Sequence, residues 1–243
     1  VMTILLDRAP VAAHASPART PLLQIDLGAV AANTRTVAGR TTGALMAVVK
    51  ADGFGNGSSD VAATALAHGA SWLGVTSIAE GLALRAAGLR APVLSWLNPL
   101  EADHATAIAE RIDLAVPGLA HLEAIARTGS GARLHLHLDT GMARDGAAPA
   151  EWTALCRRAR ALEQQGVVRV VGLMGHLGCA DVPSDPANAQ ARAAFDRGVR
   201  VAWAAGLRPA LRHLAATAAT LTDPAAHHTM SRVGAGLVGI DPS

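Results

Sequence analysis

The sequence predicts an α/β protein of the (β/α)8 TIM-type barrel class, ending without a visible eighth outer helix. Three observations predict it. Short apolar runs alternate with alanine-rich helical stretches along almost the whole chain, and this alternation implies a parallel sheet. Eight such runs can be counted from Ala44 onward. The 243 residues sit near the lower size limit of a barrel, which is roughly 200 residues. An open, doubly wound sheet is the structural alternative, but no G-x-G-x-x-G follows a strand, so a dinucleotide fold lacks its fingerprint.

The elements follow in order. Residues 22–26 read as a strand, followed by a helix through Asn33 that ends near Gly39. Strands are expected at 44–49, 71–75, 92–97, 112–116, 133–138, 167–173 and 211–214, and a last one at 234–240. The run at 133–138 alternates apolar and polar side chains, as a half-buried strand does. Helices are expected at 59–68, 78–87, 101–110 and 120–127. Ser77-Ile78-Ala79-Glu80 has the form of a capping box for the second of these, and Gly88 is its stop signal. A longer helix carries Trp152, Leu155, Cys156, Ala159 and Leu162 on one face. Another, at 189–205, stacks Phe195, Val199 and Trp203 at i, i+4, i+8. A short helix begins at Ala218. Residues 1–20 are expected to be disordered or extended, and 21–243 to form the barrel.

Composition narrows the function. The chain is 51% apolar and 16% charged, with net charge +2 and mean hydropathy +0.28. No apolar stretch approaches the ~20 residues of a membrane span, so no membrane partner is expected. The charges are dispersed, tyrosine is absent, and Phe54 and Phe195 are the only phenylalanines. Stacking platforms for nucleic acid are therefore lacking. Cys156 and Cys179 form neither a disulfide framework nor a metal spacing, and a reducing, cytoplasmic compartment fits them. The apolar stretch near the start is too short for a secretory signal.

The basic residues are lopsided: of 21 Lys and Arg, only Lys50 is lysine. A GC-rich coding sequence would replace lysine wherever only charge mattered. Arginine stays protonated, whereas a lysine amine can lose its proton and form a Schiff base. Lys50 follows the first barrel strand and runs into a glycine-rich loop, 51–57. Chemistry in barrels sits at the C-terminal ends of the strands. At the end of the fifth strand, Asp139, Thr140 and Arg144 are placed to face the mouth; the plainer reading of Asp139 and Thr140 is that they satisfy turn amides. A mouth arginine could bind a carboxylate or phenolate oxygen. His176 follows the sixth strand. Thr217 and the small residues 234–236 are suited to an anion. His135 and His137 share a strand face, and His227 and His228 lie in a loop; neither pair has a third ligand at metal spacing, so no metal is expected.

Taken together, VVKADGFGNG (48–57), LDTGMARDG (138–146), GLMGHLGCAD (172–181), HLAATAA (213–219) and SRVGAGLVGIDP (231–242) resemble the pyridoxal-phosphate barrel of alanine racemase. The likeness extends from about Leu23 to the end of the chain. It implies that Lys50 holds pyridoxal 5'-phosphate through its amine and carries the α-proton of alanine. It implies that Arg144 bonds the cofactor's phenolic oxygen and helps place the substrate carboxylate, and that His176 lies against the pyridine ring. Thr217, Gly234 and Ala235 would bind the phosphate, and Arg232 would face the ring nitrogen. A permanently protonated partner there weakens the electron sink and limits carbanion character. The activity implied is interconversion of L- and D-alanine, which supplies D-alanine for peptidoglycan.

The chain departs from the family pattern at several positions. Phe54 stands where a tyrosine is usual, Asn56 for a histidine, and His137 for a lysine. Ala216-Thr217 replaces an Asn-Ser pair, and Val238 a tyrosine. The family carries a C-terminal β domain that gives the partner subunit's site a tyrosine base, and it forms homodimers. This sequence stops before that domain and contains no tyrosine. The expectation is therefore a truncated chain, weak or inactive alone and without the family's dimer contacts. The alternatives are a standalone, non-enzymatic pyridoxal-phosphate carrier, a decarboxylase or aldolase on the same barrel, and a barrel that no longer binds the cofactor.

Overall fold

The computed structural model describes residues 21–242, so the expectation for residues 1–20 lies outside them. Eight parallel strands form one sheet: β1 (Ala44–Val48), β2 (Trp72–Val75), β3 (Val93–Ser95), β4 (Ile112–Val116), β5 (Ala132–His137), β6 (Val168–Met174), β7 (Leu211–His213) and β8 (Met230–Val233). Their order is β7-β6-β5-β4-β3-β2-β1-β8, a nearly closed (β/α)8 barrel. The helices are α1 (Leu27–Ala38), the short turn α2 (Lys50–Gly55), α3 (Ser58–Ala67), α4 (Ile78–Ala86), α5 (His104–Ala109), α6 (Leu119–Arg127), α7 (Pro149–Gln164), α8 (Pro186–Ala204) and α9 (Thr217–Thr222), with 3-10 turns at Pro224–Ala226 and Ala235–Val238. The seam between β7 and β8 is not a regular ladder. It is bridged by Thr229 N–H donating to Arg212 O (3.1 Å) and Arg232 N–H donating to Ala215 O (3.1 Å).

Two apolar cores follow from the two-residue period of the strands. On β1, Leu45 and Ala47 join the layer between sheet and helices, where Leu73, Leu114, Leu134 and Leu155 also pack. Met46 and Val48 join an inner cluster with Trp72, Leu94, Trp96, Met174 and Met230. The alternation on β5 has the same cause. Ala132, Leu134 and Leu136 go to the helix layer, while Arg133 reaches Asp113, His135 reaches His213 and His137 reaches Asp145 of the loop that follows.

Three expectations are corrected. Residues 22–26 form no strand: Leu22 and Leu23 are exposed, and Asp26 caps α1 by accepting from Ala29 N–H at 3.0 Å. The apolar run there has no strand edge to join. The last strand is β8, not 234–240, because the glycine-rich stretch after Val233 folds into a 3-10 turn. Helix α1 packs on that turn and on α3, and Asn33 Nδ2 donates to Leu237 O at 3.2 Å. The helix before β1 thus covers the flank that an eighth outer helix would otherwise cover. Finally, the stretch after Lys50 is not an open loop but a left-handed helical turn. Among the described residues no helix is long and apolar enough to cross a membrane.

Candidate active site

Lys50 stands where β1 gives way to α2. The next four residues, Ala51, Asp52, Gly53 and Phe54, have φ of 51°, 51°, 63° and 59°. Left-handed backbone costs a non-glycine residue roughly 1–2 kcal/mol, so Ala51, Asp52 and Phe54 must be held there. Ala51 N–H donates to Glu80 Oε1 at 2.7 Å, and Ser58 N–H to Asp52 Oδ1 at 2.8 Å. Asn56 Nδ2 donates to the carbonyls of Gly53 (2.9 Å) and Phe54 (3.1 Å). Lys50 Nζ lies 5.9 Å from the centre of the Phe54 ring.

Glu80 was legible only as a helix cap. Its N–H does donate to Ser77 Oγ (3.2 Å), as the capping box requires. Its carboxylate, however, takes Ala51 N–H and Thr76 N–H (2.8 Å), tying α4 to the turn that carries Lys50. Burial raises the Glu80 carboxyl, but the bonds from Ala51, Thr76 and Ser77 together bring it below its ordinary value. Glu80→Ala is expected to lower stability by about 1–3 kcal/mol, read from urea unfolding. An unchanged midpoint would mean that the left-handed turn holds without the carboxylate.

Across the barrel from β1, the segment after β5 is closed into a tight loop. Ala147 N–H donates to His137 O (2.8 Å) and Asp139 N–H to Ala147 O (3.0 Å). Gly146 makes this possible: it has φ +108°, and a Cβ there would lie 2.6 Å from Asp139 N. The loop returns Asp145 to His137, with Oδ2 3.1 Å from Nδ1. Asp139 satisfies turn amides, its Oδ1 accepting from Gly141 N–H (2.9 Å) and Ala143 N–H (3.1 Å), and it lines a small pocket with His137, Arg144 and His176. Thr140 Oγ1 donates to His176 O at 2.6 Å. Arg144 extends from this loop.

Arg232, on β8, is 3% exposed and makes no ion pair among the described residues. Its Nη1 donates to His213 Nδ1 (2.8 Å) and His213 O (2.9 Å), and its Nη2 to Gly175 O (2.8 Å) and His176 Nδ1 (3.2 Å). Burial, then Arg144, pushes the guanidinium down to about 10, so it stays protonated at neutral pH. Burial, then the Arg232 and Arg144 charges, pushes His176 down to about 3. Burial, then Arg232, likewise holds His213 far below its ordinary value. Both imidazoles are neutral in the folded protein. An unfolded histidine titrates near 6.5. Between about 3 and about 6.5 the unfolded chain therefore binds more protons, and stability rises with pH. The thermal midpoint is expected to climb from about pH 4 to about pH 7, with a shallower slope in His176→Gln. Parallel profiles for the two proteins would contradict the assignment.

Thr217, the first residue of α9, is buried. The N–H groups of Gly234 and Gly236 both point at its Oγ1, at 3.4 Å. A Cβ on Gly234 would meet the Phe54 ring at 2.8 Å and Val48 O at 3.0 Å, which binds this turn closely to the Lys50 turn.

These elements enclose one cavity of about 260 Å³ at the C-terminal mouth. Lys50, Arg144, His176, Thr217, Arg232, Gly234 and Ala235 all line it, as do Phe54 and His137. All seven sequence-derived candidates therefore meet at one place. No aspartate or glutamate is among the lining residues. An amine and two guanidiniums without a carboxylate make a receptor for an anionic ligand.

A parallel barrel with a lone lysine and an anion-receiving mouth defines a class: (β/α)8 proteins equipped for amine chemistry on an anionic group. The family model described as "Alanine racemase, N-terminal domain" matches residues 25–242, and the chain belongs to that family. It is 47% identical over 223 residues to an alanine racemase of Frankia casuarinae, covering 90% of this chain and 58% of the relative. It is 42% identical over 224 residues to that of Thermobifida fusca, covering 90% and 60%. The crystal structure of alanine racemase from Streptomyces lavendulae superposes with a TM-score of 0.89 at 38% identity, covering 90% of this chain and 59% of that one. The chain thus spans about three-fifths of the length of the relatives it matches.

Proposed function

We propose that this chain is the cofactor-binding barrel of a pyridoxal-phosphate-dependent alanine racemase, interconverting L- and D-alanine for peptidoglycan synthesis. The observation that carries the reading is the cavity in which the chain's single lysine meets two guanidiniums and no carboxylate. The residues fit the cofactor. Thr217 Oγ1 and the amides gathered at 234–236 suit a phosphate, and the Gly234 backbone leaves no room for a side chain on the Phe54 side. Bound there, pyridoxal phosphate would supply the conjugated electron sink that acidifies the substrate's α-hydrogen.

The chain's own groups would do the rest. Lys50 Nζ would hold the cofactor and move a proton to and from the α-carbon. Arg144, free of ion pairs among the described residues, would receive a carboxylate or phenolic oxygen. Arg232 would face the ring with a proton it does not surrender, fixed by acceptors on His213, Gly175, His176 and Leu214. His176 would offer a neutral surface, since it stays unprotonated above about 3. A cytoplasmic location accompanies this reading, supported by two free cysteines.

Proton NMR of L- and D-alanine in D₂O, with the chain and pyridoxal phosphate, tests it. Loss of the α-proton signal faster than in Lys50→Ala is expected, with weak interconversion at most, because Lys50 serves one face of the α-carbon and the sequence has no tyrosine to serve the other. Covalent cofactor uptake without exchange would reduce the reading to a cofactor carrier.

A further inference from the structure

The barrel interior holds more polar residues than the mouth cavity uses. Asp113 on β4 and His135 on β5 are buried, at 2% and 0% exposure, and neither lines the mouth cavity. Asp113 lies near the opposite end of the barrel, where it lines a second cavity with Arg133. The contacts nevertheless run from one end to the other. Arg133 Nε donates to Asp113 Oδ1 (2.8 Å). Asp113 Oδ2 lies 3.4 Å from His135 Nε2. His135 Nδ1 lies 2.8 Å from His213 Nε2, and His213 Nδ1 lies 2.8 Å from Arg232 Nη1.

The chemistry fixes the direction of every link. A guanidinium only donates, so His213 Nδ1 accepts and its proton sits on Nε2. That proton is given to His135 Nδ1, so the proton of His135 sits on Nε2 and faces the Asp113 carboxylate. Burial and the Arg232 charge agree, since they keep His213 neutral. Reversing the chain would set a His213 N–H against an Arg232 N–H inside the protein. An unsatisfied buried donor costs about 1–3 kcal/mol. The obligate donor Arg232 at one end and the carboxylate acceptor Asp113 at the other thus impose the same proton pattern on the two imidazoles, and losing either leaves it fixed from one side only.

The site around His135 is constructed for this. β5 and β6 slip register between Leu134 and His135, which sets His135 opposite Gly172. A Cβ at 172 would lie 2.1 Å from His135 Nδ1. Trp72 and His213 both meet the His135 ring edge-on, with centroids at 5.6 and 5.0 Å.

We infer that Asp113 and His135 are positioning residues for Arg232: through His213 they set the proton pattern that keeps the guanidinium aimed at the mouth. The structural part of this stands on its own. Its consequence for cofactor binding rests on the proposed function.

The test compares wild type, Asp113→Asn and Asp113→Leu as full chains. Long-range 1H–15N NMR of the imidazoles reads the proton positions, and titration with pyridoxal 5'-phosphate reads affinity. In wild type, both His135 and His213 are expected to carry the proton on Nε2. Asparagine keeps an oxygen acceptor and is expected to preserve that pattern. Leucine removes the acceptor. It is expected to move the His213 proton or leave it exchanging between nitrogens, and to weaken pyridoxal-phosphate binding by about tenfold. His135→Phe, which removes the acceptor of His213 directly, is expected to act alike and serves if the leucine variant does not fold. A wild-type His213 protonated on Nδ1 would overturn the inference. So would a folded leucine or phenylalanine variant with unchanged His213 and unchanged affinity. Failure of wild type to bind pyridoxal phosphate would instead sink the proposed function, leaving the proton pattern as a separate result.

Discussion

Lys50→Ala is expected to abolish covalent uptake of pyridoxal phosphate and to lower α-proton exchange by at least about 10³-fold. The argument is one of chemistry rather than charge. Lys50 is the chain's only lysine, so no second side-chain amine can take over. Lys50→Arg makes the distinction sharp. It restores the positive charge beside Phe54 but not a nucleophile, because a guanidinium does not deprotonate in a protein. Both variants are therefore expected to fail alike. The visible absorbance that appears when wild type is mixed with the cofactor should be missing from each. The backbone at this position supports the same view. Three non-glycine residues are held left-handed directly after Lys50, at a cost of roughly 1–2 kcal/mol each, by contacts from the Glu80, Asp52 and Asn56 side chains. Strain of this kind persists where the surrounding structure over-determines it. If Lys50→Arg kept both the absorbance and the exchange, the residue would be a charge and not a reagent.

Much of the barrel was legible because its signals are local. The run at 133–138 is a strand as its alternation predicts, but not a half-buried one: its leucines pack toward the helices, and His135 and His137 on the other face are buried too. The candidate residues lay at strand ends in short motifs, and strand ends converge in a barrel, so Lys50, Arg144, His176, Thr217, Arg232, Gly234 and Ala235 fell around one cavity. What stayed hidden depends on distant partners. Glu80 looked like a helix cap because the cap spacing accounted for it; its bond to Ala51 crosses 29 residues. His135 read as half of an unproductive histidine pair. Its partners Asp113 and His213 stand 22 and 78 residues away, and no spacing rule reaches them. The stretches 22–26 and 234–240 were misread for a related reason. Hydrophobicity alone marks a strand, but only an available edge makes one.

Gly172→Ala tests the barrel interior by packing alone. Its added methyl carbon would sit 2.1 Å from His135 Nδ1, 2.6 Å from Cε1 and 2.7 Å from Cγ. The ring cannot retreat. It is fully buried, bonded to His213 at 2.8 Å, and flanked edge-on by Trp72. Relief must come from parting β5 and β6 or from pushing His135 off His213. Overpacking of this kind costs roughly 1–3 kcal/mol or more, and stranding a buried imidazole N–H adds about 1–3 kcal/mol. A loss of at least about 3 kcal/mol is expected, which for a chain of this size lowers the thermal midpoint by about 6–12 °C. Gly118→Ala is the control. Gly118 caps α6 in extended backbone, with φ 175°, and a Cβ there meets nothing within 4 Å, so the expected change is only that of a poorer cap residue, at most about 1 kcal/mol. Equal midpoints for the two variants would show that His135 is free to move. A stationary His135 is what allows a carboxylate at one end of the barrel to govern a guanidinium at the other.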